Sequence, residues 1–385
     1  MKITFVFDGL QYGGIERVGI EYIKLLKSRG YEVQVINLNP RLCSIEKEIP
    51  IDIIVKHIAF PRGITPARYK SLCKRGIIGK LVEKNMRWML NVIGKVYRLF
   101  YEKILPDTDL VIAFAGHFND LTFVSTNYKN KKKIAWVHGS QYSYKMISDG
   151  FFDEYKKIKN LVCLSYKDDD KVAKFNISNC INKIKIYNPI NISSRPINAE
   201  KISWLKNNYG KFILMVGRLD KDKDQETLIR AVQRMYKKYG IENKLVLVGD
   251  GSEKARLEQV VKELGIGNLV IFEGLRTDVQ NYYMAASIYA HSSPAEGLPT
   301  VLLEAMYYNC PIVSTNSEPG TQEILQENCG LISAVGDIDS LADNIYRMYT
   351  DESCMQECVN AGKRRIQEFM PEQIMKKFEK FIESI

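Results

Sequence analysis

The stretch FILMVGRLDKDKDQETLIRA (212–231) decides the fold. A short β-branched and apolar run closes on Gly217, a charged loop follows, and helical spacing of apolar residues begins at once. The same strand–loop–helix pattern opens the chain as KITFVFDGLQYGGIERV (2–18). Working outward, strands are expected at 2–7, 31–38, 109–115, 132–138 and 160–165, with amphipathic helices such as 15–28 between them. The rhythm restarts after KIYNPINISSRPINAE (185–200), a Pro-, Asn- and Ser-rich linker, and continues through 212–217, 244–251, 268–274, 287–293 and 311–316. Repeated strand–helix alternation is the pattern of parallel sheets. It predicts an α/β chain of two doubly wound domains, 1–190 and 191–369, facing a central cleft. Helix 370–385 is expected to pack back on the first domain. Ligands of such sheets sit at the carboxyl ends of the strands.

Length agrees, since 385 residues exceed one compact core. An apolar fraction of 45% and a charged fraction of 26% are those of a globular protein, and no run of about 18 uncharged apolar residues is present. The N-terminal apolar run is broken by Asp8 and lacks a small-residue cleavage site, which argues against a signal peptide. Eight cysteines (43, 73, 163, 180, 310, 329, 354, 358) are scattered without a C-x-x-C pair, so reduced thiols in a cytoplasmic protein are expected.

Three constellations carry chemistry. In FDGLQYGGIERV (7–18), Gly13-Gly14 ends a loop and opens a helix whose free N–H groups attract phosphate. Taken alone, a glycine turn is the simpler account, because neither G-x-G-x-x-G nor a P-loop lysine is present. In 212–231, Arg218 and Lys223 are cations suited to a diphosphate leaving group. Asp220-Lys-Asp-Lys-Asp224 is no calcium loop, since Gln225 and Ala231 replace its glycine and bidentate glutamate.

The third is PAEGLPTVLLEAM (294–306). Pro299 suits a first helical position, leaving the Thr300 and Val301 amides as orphan donors beside Glu296, Gly297 and Leu298. Glu304 lies one turn beyond Thr300 on the same face, where a carboxylate can hold a vicinal diol. Two ordinary surface glutamates would not explain the glycine and proline between them.

Together GGIER, VGRLDKDKD, VGDG (248–251) and Glu296-x7-Glu304, in that order across nearly the whole chain, resemble the retaining GT-B glycosyltransferases of family four. The resemblance implies that Glu296 meets the donor sugar and Glu304 the nucleoside ribose, while Arg218 and Lys223 bind the donor diphosphate. It sets Gly14 near that diphosphate, His138 (AWVHGS) beside the reacting sugar, and Gly274-Leu-Arg276 at the nucleobase. Arg17 and His117 are weaker candidates on the acceptor side, and His57 and His291 read as structural. No cofactor or metal is expected, the co-substrate being a nucleotide diphosphate sugar. Asp168-Asp-Asp170, the only acidic run of metal-binding type, suits a first helical turn. The implied transfer retains the anomeric configuration, and no carboxylate is nominated for double displacement.

The resemblance points to hexose or N-acetylhexosamine transfer from a UDP-linked donor to a lipid-linked or glycan acceptor in bacterial surface polysaccharide assembly. A GT-B-fold epimerase and a non-catalytic basic binding protein are the alternatives. The intact donor set favours transfer, and the absence of base-stacking motifs argues against nucleic acid.

The net charge of +10 is concentrated. From Arg62 to Lys103 eleven Lys or Arg face two acidic residues, Glu83 and Glu102. At ~100° per residue Ile78, Leu81, Val82, Met89, Ile93, Val96 and Phe100 share one face, with Lys80, Lys84, Arg87, Lys95 and Arg98 opposite. The favoured reading packs the apolar face on the first sheet and leaves the basic face to solvent. The other reading lays 62–103 on an anionic membrane, giving a peripheral protein at its inner face.

Overall fold

A computed structural model describes residues 1–60, 76–101, 103–139, 144, 150–166, 181–190, 192 and 195–385. The chain divides into two compact units, Met1–Pro189 with Pro371–Ile385, and Ile190–Met370. The Asp168–Asp170 run and residues 62–75 of the basic segment lie outside the described residues.

The first unit is built on β1 (Lys2–Phe7), β2 (Glu32–Asn37), β3 (Val55–His57), β4 (Leu110–Ala113), β5 (Lys132–Val137), β6 (Asn160–Cys163) and β7 (Asn182–Lys185). They form one sheet in the order β3-β2-β1-β4-β5-β6-β7, and its pairings are parallel. Ile3, Phe5, Val6 and Phe7 are buried, as a strand covered on both faces requires. Helix Gly14–Ser28 covers β1 with Ile20, Tyr22, Ile23 and Leu26. The C-terminal helix Pro371–Ser384 joins this layer: Phe378 meets Tyr22 and Trp136 at ring-centroid distances of 5.8 and 5.6 Å, and Arg29 pairs with Glu372 and Glu379. The chain runs outward through β2 and β3, then returns to the other side of β1 at β4. Strand order therefore reverses between β1 and β4.

The second unit repeats the plan with β8 (Phe212–Val216), β9 (Lys244–Val248), β10 (Val270–Gly274), β11 (Ile288–His291), β13 (Ile312–Thr315) and β15 (Leu331–Ser333), ordered β10-β9-β8-β11-β13-β15. Here the reversal falls between β8 and β11. Two short strands, β12 (Ala295–Glu296) and β14 (Glu318–Pro319), pair by themselves. Strands β3, β7 and β15 escape the sequence reading because three or four residues carry too little alternation to register.

Two expectations are corrected. The 185–200 stretch is not an open linker throughout: Lys185 ends β7, and Ile186, Tyr187 and Ile190 are buried. In helix Gly76–Tyr101 the apolar face does not pack on the sheet. Ile78, Leu81, Val82, Met89, Val96 and Phe100 are exposed, whereas Gly79 and Tyr101 are buried and Met86 and Ile93 half-buried. Tyr101 packs on Phe123 at 5.6 Å between ring centroids, which ties down that end of the helix.

Candidate active site

In the second unit the loops after β8 and β11 meet at the strand-order reversal, where open α/β sheets bind ligands. Gly217 donates its N–H to Val248, bringing the loops after β8 and β9 close. A Cβ at Gly249 would sit 1.9 Å from the Gly217 carbonyl oxygen, and one at Gly251 would sit 2.3 Å from that of Leu219. The glycines of VGDG are thus required by close backbone approach.

Lys223 is positioned by its own loop. Asp224 caps the next helix from a left-handed conformation, accepting from the Thr227 hydroxyl at 2.7 Å. Ser292, just past β11, donates to the Lys223 and Asp224 carbonyls at 3.2 and 2.8 Å. The lysine ammonium therefore reaches Glu296, with which it forms an ion pair. Glu296 sits in β12, pinned against Pro319. A Cβ at Gly320 would lie 2.5 Å from Pro299 Cδ and 2.8 Å from the carbonyl oxygens of Glu296 and Gly297, so only glycine lets the 318–320 turn seat this loop.

His291, read as structural, lies beside this pair. It is buried, and its Nε2 lies 3.6 Å from Glu296 Oε1 and 3.1 Å from Ser293 Oγ. Burial alone would push the Glu296 carboxyl up. The adjacent His291 ring and the hydrogen bond and charge of Lys223 override it and hold the carboxyl at about 2. With its side chain only 16% exposed, Glu296 is no solvated surface charge.

Pro299 is corrected: it is the residue before the helix, which begins at Thr300 and ends at Tyr307. Its missing N–H suits that place, and the orphan amides remain those of Thr300 and Val301, with no side-chain cap. Glu304 is 13% exposed and accepts from Arg195 Nη2 at 2.9 Å. Arg195 lies hidden in the stretch that reads as a linker, and a tertiary ion pair leaves no local signal there. Arg218 is 75% exposed and pairs with Asp220 at 3.0 Å. Arg276 donates through Nε and Nη2 to Glu273 at 3.0 and 2.7 Å, so its guanidinium is held while Leu275 faces solvent.

In the first unit the corresponding reversal gathers Asp8 after β1, Gly116 and His117 after β4, and His138 after β5. His138 Nε2 donates to the Phe114 carbonyl at 2.7 Å, and burial holds its imidazole near 4, hence neutral. His117 Nδ1 lies 3.4 Å from Asp8 Oδ2, whose hydrogen bond raises the imidazole. Asp120, buried beneath and accepting from the Gly116 N–H, is pushed up to about 8 by burial. Helix Gly14–Ser28 does begin at Gly14, but the Glu16 carboxylate folds over Gly13, since a Cβ there would lie 2.2 Å from Glu16 Oε2. A carboxylate at a helix N-terminus complements the dipole. Arg17 is exposed. Among the described residues no group of three His, Cys, Asp or Glu is placed to hold a metal.

The chain has relatives. The family of glycosyl transferases group 1 matches residues 197–365, which spans β8 to β15 and every second-unit site residue above except Arg195. A Campylobacter jejuni protein named N-acetylgalactosamine-N,N'-diacetylbacillosaminyl-diphospho-undecaprenol 4-alpha-N-acetylgalactosaminyltransferase is 27% identical, over 96% of this chain and 95% of its own. The crystal structure of Anabaena Alr3699/HepE in complex with UDP superposes with a TM-score of 0.74 at 20% identity, covering 100% of both chains. The apo form of the lipopolysaccharide outer core galactosyltransferase WaaB gives 0.69 at 18% identity, covering 100% of this chain and 99% of that one. Residues 197–365 thus match the glycosyl transferases group 1 family, and the two Rossmann-like units share the GT-B fold of these solved structures.

Proposed function

We propose that the chain moves a hexose or N-acetylhexosamine from a UDP-linked sugar to a lipid-linked or glycan acceptor in surface polysaccharide assembly, retaining the anomeric configuration and using no metal. The observation that carries this reading is the Lys223–Glu296 pair at the β8–β11 reversal, braced by His291 and Ser292. Within this pair each charge satisfies the other. A donor diphosphate offers Lys223 two negative charges, which frees the Glu296 carboxylate to accept hydrogen bonds from sugar hydroxyls. Lys223 then faces charge that grows as the C1–oxygen bond to the diphosphate breaks, so its attraction is greatest in the transition state. The acceptor oxygen bonds to C1 on the same face, and its proton passes to the departing diphosphate. Arg218 adds a second, exposed cation.

Glu304 takes the ribose diol in this reading, sharing its carboxylate with Arg195. Thr300 and Val301 offer their amides to phosphate, and Gly297, Leu298 and Pro299 form the loop beneath the sugar. In the first unit the neutral His138 contributes its other nitrogen, Nδ1, Gly13 and Gly14 backbone groups, and Arg17 and His117 contacts to the acceptor. Names of relatives support the acceptor class: the Campylobacter jejuni protein's name describes a diphospho-undecaprenol-linked sugar. The crystallised complex of Alr3699/HepE with UDP supports the donor. Such an acceptor puts the protein at the cytoplasmic face of a membrane.

The test is thermal-shift binding of UDP-Glc, UDP-Gal, UDP-GlcNAc, UDP-GalNAc and GDP-Man, with and without EDTA, to wild type and Glu304→Ala. A ligand at 100 times its dissociation constant adds about 2.7 kcal/mol of stability. One UDP-sugar is expected to stabilise wild type equally with EDTA and to do less for Glu304→Ala. Transfer of that sugar to a diphosphate-linked glycan should then give an α-linked product by NMR from an α-linked donor. No shift with any donor, or an inverted product, overturns the reading.

A further inference from the structure

We propose that Asp120 is a positioning residue of the acceptor side: seated beneath the loop after β4, it sets whether the His117 imidazole faces an acceptor hydroxyl or turns inward. This rests on the transferase reading, in which His117 contacts the acceptor.

The first turn of helix Phe118–Asn127 divides the work among three side chains. His117 is the residue before the helix, and its side chain makes no cap. Asp120 serves that end instead, accepting from the Gly116 N–H at 2.9 Å. Gly116 has φ +63°, and a Cβ there would lie 2.3 Å from the Trp136 carbonyl oxygen, so the loop is pressed onto β5. Relieved of capping, the His117 ring brings Nδ1 to 3.4 Å from Asp8 Oδ2, with 46% of the side chain exposed. Asn119 donates to both oxygens of Asp8, at 2.8 and 3.0 Å, and keeps that carboxylate in place. Nε2 is the His117 nitrogen left for a hydroxyl.

A cap alone does not account for Asp120. First-turn carboxylates complement the helix dipole from the surface. This one is 0% exposed, and its Oδ1 has no partner among the described residues. A carboxyl so placed is most stable when neutral, and burial accordingly pushes it up to about 8. The titratable groups around it and His117 are Asp8 after β1, Glu16 of helix Gly14–Ser28, His138 after β5, Tyr144, and Tyr155 of helix Gly150–Ile158. Helix Gly76–Tyr101 meets the same helix through Tyr101 on Phe123. Of these groups only the histidines can be cations, and the buried His138 is held near 4, hence neutral. Once Asp120 ionises, His117 is the cation left to satisfy it. An imidazole drawn inward to Asp120 is lost to the acceptor.

Histidine-labelled protein gives an NMR readout that needs no substrate. The His117 ring shifts, assigned with His117→Gln, should titrate in two steps, its own and a second near the Asp120 value of about 8. Asp120→Asn should lose the second step, while its amide oxygen still accepts from Gly116. With donor saturating, the wild-type acceptor KM should rise between about pH 7 and 9 toward that of His117→Ala, with kcat and donor KM level. Asp120→Asn should hold acceptor KM level over the same range. A single-step His117 titration in wild type, or an acceptor KM whose pH dependence survives in Asp120→Asn, overturns the proposal. Absence of transfer with every donor counts instead against the transferase reading, and the NMR titration then decides the link between Asp120 and His117 by itself.

Discussion

The two units gather ionisable groups at the same topological point and differ in how burial and partners set their charges. At the β8–β11 reversal of the second unit, opposite charges meet: Lys223, His291 and Glu296 form a connected, partly buried set, and the carboxylate stays ionised, held at about 2. At the β1–β4 reversal of the first unit, burial wins for two groups, His138 being neutral and Asp120 pushed up to about 8, while only the more exposed His117 is raised, by Asp8. A buried group keeps its charge only when a partner of opposite sign compensates lost hydration. Topology fixes where side chains gather, while partner chemistry fixes whether they are charged. The second cluster suits charge stabilisation, and in the first the buried His138 suits neutral hydrogen bonding.

The largest effect that can break this comparison is loss of the lysine. Lys223→Ala should lower transfer by on the order of 10²–10³-fold and abolish stabilisation by UDP-sugar, because it removes the cation proposed to face the leaving group. His117→Ala, at the first-unit reversal, should cost less than about tenfold, the loss expected of a contact that meets no developing charge. Steady-state rates with a diphosphate-linked glycan read both, and equal losses would dissolve the distinction.

The glycines give the next contrast. Gly320→Ala forces a Cβ to within 2.5 Å of Pro299 Cδ and 2.8 Å of two carbonyl oxygens. Overpacking of this kind costs about 1–3 kcal/mol and should lower Tm by several degrees. A Cβ at Gly14 meets nothing within 4 Å, so Gly14→Ala should stay within about 0.5 kcal/mol of wild type. Differential scanning calorimetry distinguishes them.

Acid titration sharpens the contrast between histidines. The His138 imidazole is held near 4, below its unfolded value of about 6.5, so the unfolded chain binds the extra proton first. Stability from this group is complete above about pH 6.5 and is lost as pH falls toward 4. His117 is raised, so its contribution is present below about 6.5 and is lost as pH rises through its folded value. Denaturant midpoints across roughly pH 4–8 should show opposite slope changes in His138→Asn and His117→Asn. Glu296, depressed, contributes above about 4.3 and loses that contribution as pH falls toward 2, a limb that Glu296→Gln should flatten.

The smallest effect is expected at Arg195. Freeing Glu304 from this half-exposed pair in Arg195→Ala should tighten UDP binding less than about tenfold by calorimetry, since such pairs contribute little.

Much of the fold is legible because parallel strands buried on both faces are written as continuous apolar runs, and FILMV and KLVLV could hardly be anything else. Loop residues after those strands stand out by type and position, which is what singles out Lys223, Glu296, His138 and His117. His291 escapes because a lone histidine at a strand end has no pattern of its own. Gly320 carries a faint signal in Glu318-Pro319-Gly320, a turn-forming trio with no obvious local need. Arg195 carries none.

What the sequence by itself determined was the longer strands and helices, their parallel strand–helix alternation and the residues offered at those strand ends, because these follow from local periodicity and turn chemistry. Only the tertiary structure decided the pairings. Lys223 with Glu296 and Arg195 with Glu304 join residues 73 and 109 positions apart, and no local pattern encodes a partner at that separation. The same limit governs helix Gly76–Tyr101. Its sequence states that one side is apolar, but whether that side meets a sheet or water depends on what the rest of the chain leaves beside it.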